Sequence, residues 1–256
     1  MKIIKKAVFI FAATLFLCSC KENSPLSDVE LNNPGLVSPE ITLSKHKNEL
    51  GITNTSLKVY LNDKNNNSIN LLKGSIELNN QPLGVHTEIS GAPYYSFDNI
   101  QLVPKRKYQF DIKMADDKVY PCSIYSPEKS IGEFDVPEYH DRNTSLIVSW
   151  DKINIDDTEC LIEIEGELGS EEIVLSTSQM KAGTCFITPA LFNIVNKGEM
   201  QKDVLITLRS INYGKVDPRF NGGSIKIIES VSRQVSLGDG DFTKEDEKDY
   251  EAYRPK

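Results

Sequence analysis

Leu102-Val103-Pro104-Lys105-Arg106-Lys107-Tyr108-Gln109-Phe110-Asp111-Ile112 is the stretch that decides the fold. From Tyr108 onward, Tyr108, Phe110, Ile112 and Met114 alternate with Gln109, Asp111 and Lys113, the period-two pattern of a strand with one buried face. Ala115-Asp116-Asp117-Lys118 supplies turn chemistry, so residues 119–125 read as the return strand of a hairpin. The same alternation runs upstream. Leu57, Val59 and Leu61 face one way and Lys58 and Tyr60 the other, and short strands follow at Ile76 and Leu78, at residues 85–89 and at residues 97–100. Strands this short at roughly ten-residue spacing predict a β-sandwich.

The Leu-x-Pro followed four residues later by Tyr108 resembles the entry to the sixth strand of fibronectin type III domains. There the tyrosine hydroxyl bonds back to upstream backbone and pins the crossover between sheets, so the resemblance implies a structural role for Tyr108. The glycine usual after that proline is Lys105 here. Further on, Ser145-Leu146-Ile147-Val148-Ser149-Trp150 resembles the second strand of the same domains, which ends in a core tryptophan. Trp150, the only tryptophan, is therefore read as an anchor between two sheets. Residues 160–165, 172–175 and 204–210 continue as strands, residues 225–237 close a sheet, and residues 188–195 read as a short helical turn after Pro189, with a strand the alternative that their apolar content also suits. Pro127, Gly132, Pro137 and a charged cluster break the alternation near residues 127–140.

The N-terminus addresses location. Met1-Lys2-Ile3-Ile4-Lys5-Lys6 precedes an apolar run over residues 7–17 and then Leu17-Cys18-Ser19-Cys20, the order of a secretory signal peptide. Eleven residues reach only about 17 Å, too short to span a bilayer. The ending resembles the lipobox of bacterial lipoproteins, which makes Cys20 the lipidated first residue of the mature chain. Lys21-Glu22 behind it resembles the export signal of Bacteroidota-type surface lipoproteins. The resemblance implies an outer-membrane lipid anchor, cell-surface exposed, with a periplasm-facing anchor the competing placement.

These readings give an all-β chain of two tandem immunoglobulin-like, fibronectin type III-like β-sandwich domains after a lipidated flexible tether. The expected divisions are a signal peptide over 1–19, the lipidated cysteine and tether over 20–50, modules over 51–135 and 136–238, and an acidic disordered tail over 239–256. Pro25, Pro34 and Pro39 among polar residues motivate the tether.

Charge narrows function. The chain carries 29 basic and 37 acidic residues; removal of residues 1–19 deletes three lysines and leaves 26 basic, a net charge near -11. That balance excludes a nucleic-acid surface. Three histidines, His46 in the expected tether, His86 in a strand and His140 at the boundary, come with no Gly-x-Ser-x-Gly elbow and no HExxH, so the reading is non-enzymatic, with no cofactor and no metal. Glu163, Glu165, Glu171 and Glu172 are expected on a solvated face. With Cys18 in the signal and Cys20 lipidated, Cys160 and Cys185 are the candidate disulfide, and buried free thiols are the competing reading.

Pro93-Tyr94-Tyr95-Ser96-Phe97 is the candidate contact surface, with Tyr94 and Tyr95 as ligand-binding residues, because rings give rigid area for sugars or peptide side chains. Arg219 and Phe220, on the loop Asp217-Pro218-Arg219-Phe220-Asn221-Gly222-Gly223, are a second candidate. The expected role is an accessory binding module for a glycan, a peptide or an outer-membrane partner protein. The alternative is a fimbrillin-like or adhesin subunit; such subunits mature by cleavage after a basic residue, usually arginine, yet no arginine lies between Cys20 and Arg106. Cys20→Ala is expected to abolish fatty-acid incorporation and release the chain from membranes; metabolic labelling as strong in the variant as in wild type refutes the anchor.

Overall fold

The hydrophobic alternation condenses into strands whose inward residues build two cores. The computed structural model describes residues 30–98, 100–151, 153, 158–196 and 202–238. The expected signal peptide, Cys20 and the expected acidic tail over 239–256 lie outside the described residues.

Two 3-10 turns, Glu30–Asn32 and Pro34–Leu36, lead into β1 (Ser38–Lys47) and β2 (Thr53–Asn62). Then come β3 (Ser75–Leu78), β4 (Gln81–Pro82), β5 (Gly84–Thr87), β6 (Pro93–Ser96), β7 (Lys107–Lys113) and β8 (Val119–Tyr125). The second half holds β9 (Phe134–Asp135), β10 (Tyr139–Asp141), β11 (Leu146–Trp150), β12 (Thr158–Gly166) and β13 (Gly169–Val174). Helix α1 (Thr177–Ala182), β14 (Thr184–Ile187), helix α2 (Pro189–Val195), β15 (Lys202–Tyr213) and β16 (Ser224–Gly238) complete it. The turn read after Pro189 is α2; α1, opened by a Ser176–Gln179 capping box and closed by Gly183 at φ 71°, was not anticipated.

A single sheet runs through both modules in the order β13-β12-β15-β16-β1-β2-β6-β5, with β10 on the far end of β16. Sheet β4-β3-β7-β8 covers its first half and sheet β14-β11-β9 its second, a sandwich-like all-β arrangement. Leu57, Val59, Leu61, Tyr108, Phe110 and Ile112 fill the first core. Trp150, Ile162, Ile164, Ile206 and Leu208 fill the second.

Two expectations are corrected here. Residues 30–47 are not tether: β1 lies between β2 and β16, and Leu31, Val37, Ile41 and Leu43 are buried in the first core. Ile41 and Leu43 alternate with Glu40, Thr42 and Ser44, so the segment buries one face as any half-buried strand does. The second module also does not keep its C-terminal hairpin to itself. Phe220, Ile225 and Ile227 belong to the first core, while Val231, Val235 and Leu237 of the same strand belong to the second.

The hairpin tip is stitched in by backbone. Ser123 and Lys215 exchange N–H···O=C bonds of 2.8 and 2.7 Å, and the Asn221 N–H donates to the Val37 carbonyl at 2.9 Å. The approach is close enough to require glycine: a Cβ at Gly214 would lie 2.4 Å from the Ser123 carbonyl oxygen, and one at Gly223 the same distance from that of Pro39.

At the corner, the Tyr108 hydroxyl donates to the Gln101 carbonyl and accepts the Val103 N–H, both at 2.7 Å. Lys105, at the position where the sequence resemblance implies glycine, takes a left-handed φ of 57°. Its N–H reaches the Pro127 carbonyl at 3.2 Å, which ties the corner to the segment that leaves β8. Tyr108→Phe leaves both backbone partners without the hydroxyl, so unfolding free energy should fall by about 1 to 3 kcal/mol. Denaturant unfolding reads this as a lower midpoint at constant slope; an unchanged midpoint removes the corner from the stability account.

Candidate functional site

Strand alternation sorts the adjacent tyrosines onto opposite faces of β6. Tyr95 is only 3 % exposed; its hydroxyl accepts the Leu71 N–H at 2.7 Å and donates to Asn70 Oδ1 at 2.9 Å. Burial pushes its phenol pKa up. It is a core anchor rather than a contact residue, which corrects that expectation. Tyr94 points outward and is half-buried.

The loop carrying Arg219 and Phe220 is likewise turned inward. Phe220 is 6 % exposed with its ring centroid 5.5 Å from that of Tyr120, so it is core and not a flexible contact. Arg219 grips Asp217 through Nε (2.8 Å) and Nη2 (2.6 Å), and its guanidinium sits 4.3 Å from the Tyr120 centroid. The Asp217 carboxyl is held below its ordinary range by that pairing. Arg219 thus fixes the loop against β8 instead of offering a free guanidinium.

The expected disulfide is also corrected: Cys122, Cys160 and Cys185 are all free and buried. Cys160 lies on β12 opposite Ser210 and Cys185 on β14 opposite Val148, in different sheets of the second module. Burial pushes both thiols up, and Cys122 up to about 11, which keeps them as unreactive thiols. His46, read as tether, sits on β1 with Nδ1 2.9 Å from Ser230 Oγ.

The remaining candidate grows outward from Tyr94. Its strand partner in register is His86 on β5, and the two rings stack at 5.4 Å and 25°. Tyr60 on β2 lies 5.9 Å away at 38°, and Lys58 Nζ stands 5.2 Å from the Tyr94 centroid. Glu88, in the β5–β6 turn that Gly91 closes at φ 88°, accepts from Lys58 Nζ at 2.9 Å and from the Tyr60 hydroxyl. The Tyr60 and Lys58 bonds hold the Glu88 carboxyl below its usual value, and the bond to Glu88 raises Lys58. Burial and the same carboxylate raise Tyr60.

The result is a small, fixed patch of three rings with an ammonium and a carboxylate at its rim, on the outer face at the end of the long sheet. It can stack, donate and accept. It assembles no nucleophile with a general base, and among the described residues no group of three His, Cys, Asp or Glu side chains could hold a metal ion. Tyr60, Lys58, His86 and Glu88 escaped the sequence reading of the site, although the outward phase of Lys58 and Tyr60 was the signal that could have joined them to Tyr94.

No family model matches the chain and no curated protein matches it. Among solved structures, the chain is similar to the chicken CNTN1 FN1-FN3 domains at 10 % identity and TM-score 0.26, covering 80 % of this chain and 66 % of that one. It is similar to the BSP domain of a biofilm-associated protein at 11 % identity and TM-score 0.24, covering 81 % and 30 %. It is similar to a bacterial ice-binding adhesin at 9 % identity and TM-score 0.24, covering 84 % and 72 %. At these values the likeness carries no argument about fold or binding, and the architecture rests on the sheets themselves.

The rim of the patch gives a pH prediction. Because the folded pKa of Glu88 is depressed, its contribution to the patch is present above the unfolded value near 4.5 and is lost as pH falls through the lower folded value. Carbon-detected NMR titration should place Glu88 below 4.5 in the wild type and return it toward 4.5 in Tyr60→Phe. A Glu88 titration unmoved by that substitution contradicts the hydrogen-bonded rim.

Proposed function

We propose that the chain is a non-enzymatic binding module, lipid-anchored through Cys20 at the cell envelope, that takes a glycan or peptide ligand on the Tyr94 patch. The observation that carries the reading is the preorganised patch itself: His86 stacks on Tyr94 at 5.4 Å, Tyr60 lies tilted against the same ring at 5.9 Å, and the Lys58–Glu88 pair fixes the edge. Rings held by their neighbours lose little freedom on binding, which makes a small area effective. The outer-membrane, surface-exposed placement rests on the N-terminal lipobox resemblance and on the Lys21-Glu22 pair behind it.

A ring contact of this kind contributes about 0.5 to 1.5 kcal/mol, so affinity should be modest and should fall steeply when two rings are removed. Glycan and peptide arrays probed with the chain and with a Tyr94→Ala, His86→Ala double variant are expected to show signals that the variant loses. Equal signals from both reject the patch, and release of product from any array ligand rejects the non-enzymatic reading.

A further inference from the structure

The two cores meet on the inner face of the long sheet at a polar step. Along β16 the inward positions run Ile225, Ile227, Glu229, Val231, and beside them on β1 run Ile41, Leu43, Lys45, Lys47 in matching register. Two apolar rows therefore give way to one ionic row before apolar packing resumes at Val231. A cleft of about 360 Å³ opens there, beneath the β1–β2 turn and beside the inter-module linker.

Its chemistry is asymmetric. Glu229, 5 % exposed, has both oxygens occupied: Oε1 accepts from Ser130 Oγ at 2.9 Å and lies 3.8 Å from Lys45 Nζ, and Oε2 accepts the Ile131 N–H at 3.1 Å. A cation entering the cleft finds no carboxylate oxygen free of donors. Lys45 donates one proton to Ser130 Oγ at 2.8 Å, and its side chain remains 29 % exposed at the mouth. Lys47 also lines the cleft and, among the described residues, takes part in no ion pair or side-chain hydrogen bond. Two ammonium groups against one satisfied carboxylate leave a local surplus of one positive charge in a chain of net -8. The wall behind them is Ile131 and Val231, both buried members of the second core.

We propose that this seam cleft binds a small aliphatic carboxylate, its head group received by Lys47 and the free protons of Lys45 and its tail laid against Ile131 and Val231. A single negative charge matches the surplus, whereas a dianion would meet the fixed charge of Glu229. The volume falls within the range of small-molecule sites. The site lies at the seam and is independent of the Tyr94 patch.

The test titrates hexanoate into the full chain in non-ionic micelles by calorimetry, with 1-hexanol, hexylamine and inorganic phosphate as parallel probes. Hexanoate is expected to bind saturably at one site, phosphate at least tenfold more weakly, and hexanol and hexylamine without saturation. Lys47→Gln should weaken hexanoate at least tenfold while Lys47→Arg stays within about threefold of wild type. Thermal midpoints measured without ligand check that both variants fold. Absence of saturable hexanoate binding, equal affinity in Lys47→Gln, or hexylamine or phosphate binding as tightly as hexanoate overturns the proposal.

Discussion

Strand β16 serves two cores at once, and the remaining arrangement answers to that constraint. Its fifteen residues span about 50 Å, roughly three times an ordinary strand, so it is long enough to line two stacked cores. An uninterrupted apolar face would merge those cores. Glu229 interrupts it, and a buried carboxylate is tolerated only when donors surround it. Those donors are the Ser130 hydroxyl and the Ile131 N–H from the linker, with Lys45 of β1 ion-paired to the same carboxylate at 3.8 Å, so satisfying one charge fixes where the linker crosses the sheet.

The first half depends on the second for closure. The first core is completed by Phe220, Ile225 and Ile227, and the tip that carries them passes close enough to Ser123 and Pro39 that only glycine fits at residues 214 and 223. The modules are therefore joined by a hydrogen-bonded sheet and not strung on a flexible linker. The Tyr94 patch lies at the β5 end of that sheet, and the ladder from β16 through β1, β2 and β6 sets its position relative to the second module.

What could be read from sequence was local. Tyr108 announced its corner because the proline, the tyrosine and their bonding partners lie within eight residues of one another. The face assignment that separated Tyr94 from Tyr95 followed from period two alone, but which face is interior depends on Asn70 and Leu71, some 25 residues away. β1 was obscured because Pro34 and Pro39 imitate a spacer and because one of its two partner strands, β16, lies 184 residues downstream. Phe220 misled for a related reason: glycines and an arginine around it describe an exposed loop, and the Tyr120 ring that covers it comes from the other module. Cys160 and Cys185 shared a half of the chain, yet nothing in their spacing told that they would face the core from different sheets.

The parallel pairing of β1 with β16 has a mechanical meaning. Tension drawn between residue 38 and residue 238 pulls β1 toward its own start and β16 toward its own end, along the strands in opposite directions. The bonds joining the eight registered pairs from Glu40↔Ser224 to Lys47↔Val231 then lie across the pull and bear the load in shear together, rather than parting one after another as a zipper would. A chain held at its N-terminal end and tugged at its C-terminal end would meet its greatest resistance at this seam.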